Sequence, residues 1–238
     1  MKVLILGASG ATGKLVVKQL VKRHIQVRMV VRESAVIPSN ISEDNTIEII
    51  KGNINDLDIK KIIDLLKDCD SVISCLGHNI SIRGIFGPPY KLVSNTVLKI
   101  IEALQLLKLK QKFILMSTTA YTNKKIKEEN TFGEKIIFSF LKVFLPPHKD
   151  NMLAADHLVY KIGSKTDIDW VAIRPDSLFD EEIESRYEIH EYKIRSPIFN
   201  PGKTSRINVS QFMAELLTNN KLWQEWKHKT PVIYNKEG

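Results

Sequence analysis

The 238-residue sequence predicts an α/β fold, a doubly wound parallel sheet in one domain spanning residues 1–238. Three observations carry that reading. The apolar run Val3-Leu4-Ile5-Leu6 leads into Gly7-Ala8-Ser9-Gly10-Ala11-Thr12-Gly13 and then into the amphipathic stretch Lys14 to Arg23. Short apolar runs alternate with helical periodicity through the first two thirds of the chain, as in successive βαβ units. Most of these runs end on glycine or polar residues that turn the chain.

The first strand, Val3 to Leu6, ends at a turn whose three glycines meet separate needs. Gly7 can leave the strand sharply because it lacks a Cβ and accepts φ > 0. Gly10 lets the backbone approach a pyrophosphate, and Gly13 lets the next helix pack close to the sheet. The unpaired N–H groups and positive dipole end of that helix favour phosphate, with Ser9, Ala11 and Thr12 in the same turn. Strand, glycine turn and helix in this order form a Rossmann-type dinucleotide site. Gln26 to Val31 is the second strand, with Arg32 at its carboxyl end. An acid there would accept hydrogen bonds from the adenine ribose and favour NAD(H). An arginine offers a fork of donors to a 2′-phosphate, so NADP(H) is the favoured cofactor. Glu33 follows directly and can turn toward the ribose, which keeps NAD(H) open.

Thr46 to Ile50 is the third strand, ending at Lys51-Gly52-Asn53, and Leu57 to Leu66 has helical spacing. Asp70 to Leu76 is the fourth strand, closed by Gly77-His78-Asn79, and Tyr90 to Leu107 is a long helix. Phe113 to Met116 is the fifth and runs into Ser117-Thr118-Thr119-Ala120-Tyr121; Ile168 to Ile173 is the sixth, followed by Arg174-Pro175. Two segments interrupt the alternation. An insertion at about 122–150 carries the apolar run Ile136 to Leu145, read as a pocket wall or lid, with a membrane-surface contact as the other option. From about 180 a small lobe is expected to cover the substrate, with a strand at Tyr187 to Tyr192, a helix at Ser210 to Leu217 and a strand at Pro231 to Tyr234.

Ligands of such sheets bind outside the carboxyl ends of the strands. That rule gathers Gly7 to Gly13, Arg32, Asn53, Leu76 to Asn79, Ser117 to Tyr121 and Pro175 to Phe179 on one edge. His78 and Asp176 are candidate substrate contacts; an exposed loop pair and a turn cap are the plainer readings of His78-Asn79 and Asp176. The six histidines show no ligand spacing, so no metal is expected.

The formal charge is +8, but lysines alternate with acids and no nucleic-acid module accompanies them. The expected partner is a small-molecule substrate, not nucleic acid. No stretch is long enough to cross a bilayer, and the apolar run after Lys2 is too short for a secretory signal. Cys69 and Cys75 fit buried thiols in a reducing cytoplasm, and a monomer or weak homodimer is expected.

The anchors Gly7 to Gly13, Val30 to Ser34, Lys51 to Ile54, Ser74 to Gly77, Met116 to Ala120, Asp169-Trp170 with Arg174-Pro175, and Ser205 to Ile207 fall in one order. In that order the chain resembles the atypical short-chain dehydrogenase/reductases of the NAD(P)H-binding type. That group includes flavin reductase or biliverdin reductase B-like proteins and NmrA-like redox sensors. The resemblance implies that Asn53 and Ile54 contact the adenine ring, where relatives usually carry Gly-Asp-Val. Leu76 and Gly77 would pass beside the adenosine ribose and pyrophosphate. Thr118 and Thr119 would lie near the nicotinamide, with Thr119 at the catalytic Ser or Thr position. Carbonyl-reducing relatives use a Tyr-x-x-x-Lys pair on the next helix. Tyr121 to Lys125 fits that text but comes too early, which leaves Tyr121 as a pocket-lining ring. Alignment with the next helix puts Pro147 and Asn151 at the two positions, where Asn151 could hydrogen-bond the nicotinamide ribose. The resemblance implies an NADPH-dependent reductase of a flavin- or quinone-like acceptor, or else a non-catalytic NADP(H) sensor.

Overall fold

A computed structural model describes residues 1–78, 82–108, 110–164 and 166–236, and of Asn40, Ile82 and Arg83 the backbone alone. The strands are β1 (Lys2–Leu6), β2 (Gln26–Val31), β3 (Ile47–Lys51), β4 (Ser71–Ser74), β5 (Lys112–Met116), β6 (Asp169–Pro175), β7 (Ser177–Phe179), β8 (Tyr187–His190), β9 (Lys203–Ser205) and β10 (Val232–Asn235). The helices are α1 (Ala11–Val21), α2 (Ser39–Ser42), α3 (Ile59–Leu66), α4 (Ile82–Phe86), α5 (Leu92–Leu107), α6 (Phe132–Phe144), α7 (Pro146–Asp156), α8 (Arg206–Thr218) and α9 (Asn220–Trp226). A π-helical turn, His157–Ile162, continues α7.

The main sheet has eight strands in the order β3-β2-β1-β4-β5-β6-β10-β8. All neighbours are parallel except β8, which pairs antiparallel with β10. Order reverses between β1 and β4, which opens a crevice at their carboxyl ends. Strand alternation divides the core between two faces. From β1, Leu4 and Leu6 pack with α3, α5 and α7, whereas Val3 and Ile5 pack with α1, α8 and α9.

The expected doubly wound sheet is therefore present. The C-terminal segment differs from the covering lobe expected of it. Its strands β8 and β10 extend the main sheet, and α8 packs against α1. Hydrophobic burial explains this: Val209, Phe212, Met213 and Ile233 fill the same core as Val16 and Leu20. Outside the main sheet remain the small β7-β9 pair and the loops around it.

The loop after β5 is tied down by a buried ion pair. Arg174 in β6 is fully buried and places Nη1 and Nη2 at 2.7 and 3.0 Å from the two carboxylate oxygens of Glu128. The guanidinium also donates to the carbonyls of Tyr121, Thr230 and Glu191, which uses every part of its fork. Burial alone would raise the Glu128 pKa, but the arginine and the N–H groups of Asn123 and Lys193 outweigh it and hold the carboxyl below its ordinary value. A folded-state pKa below the unfolded one gives stability that is present above the unfolded pKa and fades as pH falls through the folded one. We expect Glu128→Gln to cost about 3–5 kcal/mol in urea unfolding at neutral pH, because it strands the arginine charge. The wild-type and variant curves should converge only below about pH 4.

Candidate functional site

The glycine turn is shaped by contact. Gly7 has φ +77°, and a Cβ on it would stand 2.6 Å from the carbonyl oxygen of Cys75. A Cβ on Gly13 would stand 2.1 Å from the carbonyl oxygen of Gly7, so α1 begins directly against the turn. Gly10 caps α1 with no side-chain hydrogen bond, and the first turn holds no acid. The positive end of this helix thus has no anionic side chain of its own, the condition for an anion-binding cradle.

A cavity of about 390 Å³ lies over the carboxyl ends of β1, β2, β3 and β4. It brings together Gly7, Ser9 and Gly10 of the turn, Arg32 after β2, Asn53 and Ile54 after β3, and Leu76, Gly77 and His78 after β4. Pro88, Pro89 and Leu92, at the start of α5, complete the wall. Ala11, Thr12 and Gly13 form the first turn of α1 beside it; Thr12 and Gly13 are buried and Ala11 is exposed. Arg32 is exposed, and no acid among the described residues pairs with its guanidinium. Asn53 caps a 3₁₀ turn: its Oδ1 accepts from the N–H of Asn55 at 3.3 Å and its Nδ2 donates to Asp56 at 2.9 Å. Asn79, expected beside His78, lies outside the described residues.

Several expected site residues are engaged elsewhere. Thr119 is buried and donates its hydroxyl to Asp176 at 3.2 Å. Asp176, also buried, accepts from the N–H groups of Ser177 and Gly202 as well, and so joins the loops that follow β5 and β6 to the approach to β9. Burial raises the Asp176 pKa even against these bonds. Thr118 is half-buried, and its hydroxyl accepts from the N–H of Ala120. Tyr121 is almost fully buried and donates to Asp156 at 3.0 Å; burial, then the Asp156 charge, push its pKa far up. Its ring borders a second cavity of about 920 Å³ between the loop after β5 and helices α6 and α7. None of these four residues lines the first cavity, because each faces a partner that fixes a loop. Asn151 is half-buried on α7.

The neighbour of Asn151 was not anticipated. Asp150 is buried at 1 % exposure and accepts from the N–H groups of Val93 and Ser94 at 2.7 and 3.0 Å. It thereby caps α5, whose own N-cap Lys91 makes no side-chain bond. Its Oδ2 also lies 2.9 Å from Nε2 of His78. Burial would raise the Asp150 pKa, but His78, the Ser94 hydroxyl and the two N–H groups outweigh it and hold it low. An ionised carboxylate only accepts, so Nε2 of His78 carries hydrogen and Nδ1 remains for another partner. A sequence signal for Asp150 exists. It shares the helix stripe of Ala154 and Leu158, both fully buried, where a lone acid needs a partner. That the partner is His78 follows only from the fold.

Burial also pushes the Cys75 thiol up to about 12 and the Cys69 thiol to about 11, so neither free cysteine is a nucleophile here.

Comparisons with known proteins agree with this fold. No curated protein sequence matches the chain. Among solved structures, an oxidoreductase from Lactococcus lactis superposes with a TM-score of 0.70 at 20 % identity, covering 100 % of this chain and 92 % of that one. A provisional NADH-flavin reductase from Streptococcus pneumoniae gives a TM-score of 0.71 at 19 % identity, covering 99 % of this chain and 100 % of that one. A short-chain dehydrogenase/reductase from Veillonella parvula, in complex with NADP, gives 0.70 at 16 % identity, covering 98 % of this chain and 94 % of that one. At such identities the likeness is one of fold. The profile of one sequence family, described as NAD(P)H-binding, matches residues 7–220, and the chain belongs to that NAD(P)H-binding family.

Proposed function

We propose that the chain is an NADPH-dependent reductase of a small or aromatic acceptor, flavin- or quinone-like, with the dinucleotide across the first cavity. One observation carries the reading: a single cavity joins the glycine cradle, the Arg32 guanidinium and a histidine seated on a buried carboxylate. The glycines leave space that a Cβ would fill, and the bare N-terminus of α1 suits a pyrophosphate. Arg32, whose guanidinium pairs with no acid among the described residues, suits a 2′-phosphate. When bound, the reduced nicotinamide supplies a hydride.

A carbonyl or quinone that accepts hydride also needs a proton. The Tyr-Lys pair of carbonyl-reducing relatives is not at its expected position, since Pro147 and Asn151 stand there. His78 can fill that role in its imidazolium form: Asp150 holds the ring through Nε2, the ring gives its other N–H proton to the reduced acceptor, and solvent restores that proton. The side chain of His78 is 6 % exposed, so it is screened from bulk water while lining the cavity. A second reading, a non-catalytic NADP(H) sensor, is favoured by the engagement of Thr119 and Tyr121 in structural bonds. Stopped-flow oxidation of bound NADPH by flavins, quinones and aldehydes separates the two. Turnover with at least one acceptor class is expected, and inertness with every acceptor alongside tight NADPH binding would assign the sensor.

Two substitutions test individual residues. Arg32→Asp should weaken NADPH by roughly 10- to 100-fold in calorimetry, the scale of a charged hydrogen bond, and weaken NADH far less. Equal losses for both would remove Arg32 from 2′-phosphate recognition. His78→Asn should lower the rate of NADPH oxidation by roughly 100-fold or more while leaving NADPH affinity within a few fold. A drop in affinity with an unchanged rate would make His78 a binding residue instead.

A further inference from the structure

Helix α6 leaves one face uncovered. Phe132, Ile136, Phe140, Val143 and Phe144 are 79, 56, 61, 74 and 54 % exposed. At about 100° per residue these five project over an arc of about 120°. Gly133 lies on the same side, where a Cβ would stand 3.0 Å from the ring of Phe199, itself 64 % exposed, so the apolar surface continues beyond the helix. Five large apolar side chains in one stripe are more than scattered surface residues, and such a stripe marks an interaction site. The helix is not marginal: Thr131 and Glu134 form a reciprocal capping box, and Phe138 anchors the opposite side in the protein.

Charge decides what covers the stripe. Lys135 and Lys142 run along one flank of it and form the lip of the second cavity. Lys124 and Lys127 stand across that cavity on the loop after β5. None of the four pairs with an acid among the described residues. Of the acids at this cavity, Glu128 is held by Arg174 and Asp156 by Tyr121, which leaves Glu129 as the single unengaged one. A second copy of this chain is a poor occupant. A two-fold contact through α6 would bring two lysine rows together on molecules of charge +8. An apolar stripe bordered by lysines instead matches a helix lying in the plane of a membrane surface. Among the described residues no helix is long and apolar enough to cross a membrane, so the contact is peripheral.

We propose that α6 docks the protein on an anionic phospholipid surface. The five apolar side chains enter the boundary between headgroups and acyl chains, and the four lysines take headgroup phosphates around the second cavity. This assignment stands apart from the reductase reading, since no residue of the stripe lines the first cavity.

Co-sedimentation of the full chain with vesicles tests it. Phosphatidylcholine vesicles are compared with vesicles in which roughly a third of the lipid is phosphatidylglycerol. We expect binding to the anionic vesicles at physiological salt and at least tenfold less to neutral ones, the scale of several lysines each attracted by the surface. Phe140→Glu and the pair Lys135→Glu with Lys142→Glu should each weaken binding by roughly tenfold or more. All three positions are exposed, and an unchanged thermal melt and NADPH affinity would verify that the variants fold. Absence of binding to anionic vesicles would overturn the proposal. So would undiminished binding of Phe140→Glu, which would reduce the effect to non-specific adsorption of a basic protein. A dimer in light scattering that Phe140→Glu dissociates would give the face to a second copy and also overturn it.

Discussion

The backbone contact between Gly13 and Gly7 sets the terms for the site. With hydrogen in place of Cβ at both positions, α1 starts against the turn that leaves β1. That closeness fixes the helix axis over the sheet and turns its N-terminus toward the crevice where strand order reverses. The same helix carries Val16, Val17 and Leu20 into the core shared with α8 and α9. Cradle and core are thus two consequences of one approach. A larger residue at Gly13 would disturb the packing of the C-terminal third as well as the anion site.

Two buried ionic centres organise the rest of the carboxyl edge. Arg174 and Glu128 hold the loop after β5 against β6, the residue after β8 and the approach to β10, so the surface of the second cavity is built on a fixed floor. Asp150 ties α7 to the start of α5 and, through His78, to the loop after β4. Buried charges of this kind hold only when every lone pair and proton has a partner, and these two are fully engaged. Thr119 and Tyr121 serve to lock loops. His78 stands at the cavity with a carboxylate behind it.

Much of the fold was legible because it is local. The short apolar runs of β1, β2 and β5, the glycine turn and the long helix α5 all follow from pattern within a few residues. Boundaries moved where side-chain caps decide them. Asp58 accepts from the N–H of Lys61 and starts α3 at Ile59 rather than Leu57; Ser205 accepts from the N–H of Asn208 and starts α8 before its apolar run. The prolines at 146 and 147 look like the end of a helix, yet they occupy the first turn of α7, where a missing N–H costs nothing. Helix α9 is too short for a clear apolar period, and its signal is the Asn219 cap with Trp223 and Trp226 buried one turn apart. The long-range facts were not legible. β10 joins β6 and β8, Asp150 meets His78, and α6 turns its apolar face outward, each across a separation that sequence spacing does not encode. Of the expected cofactor residues, those on the turns after β1, β2, β3 and β4 line the first cavity, whereas Thr118 on the turn after β5 does not.

Amide hydrogen exchange with and without NADPH tests most directly whether a reduced dinucleotide lies across the cavity built by the glycine turn. Ligand there should slow exchange in three separated segments, residues 9–14 at the start of α1, 52–55 after β3 and 76–78 after β4. The loop after β5 and helix α6 should change little. Unaltered exchange in those three segments at saturating NADPH, or protection confined to residues 122–142 around the second cavity, would contradict the account.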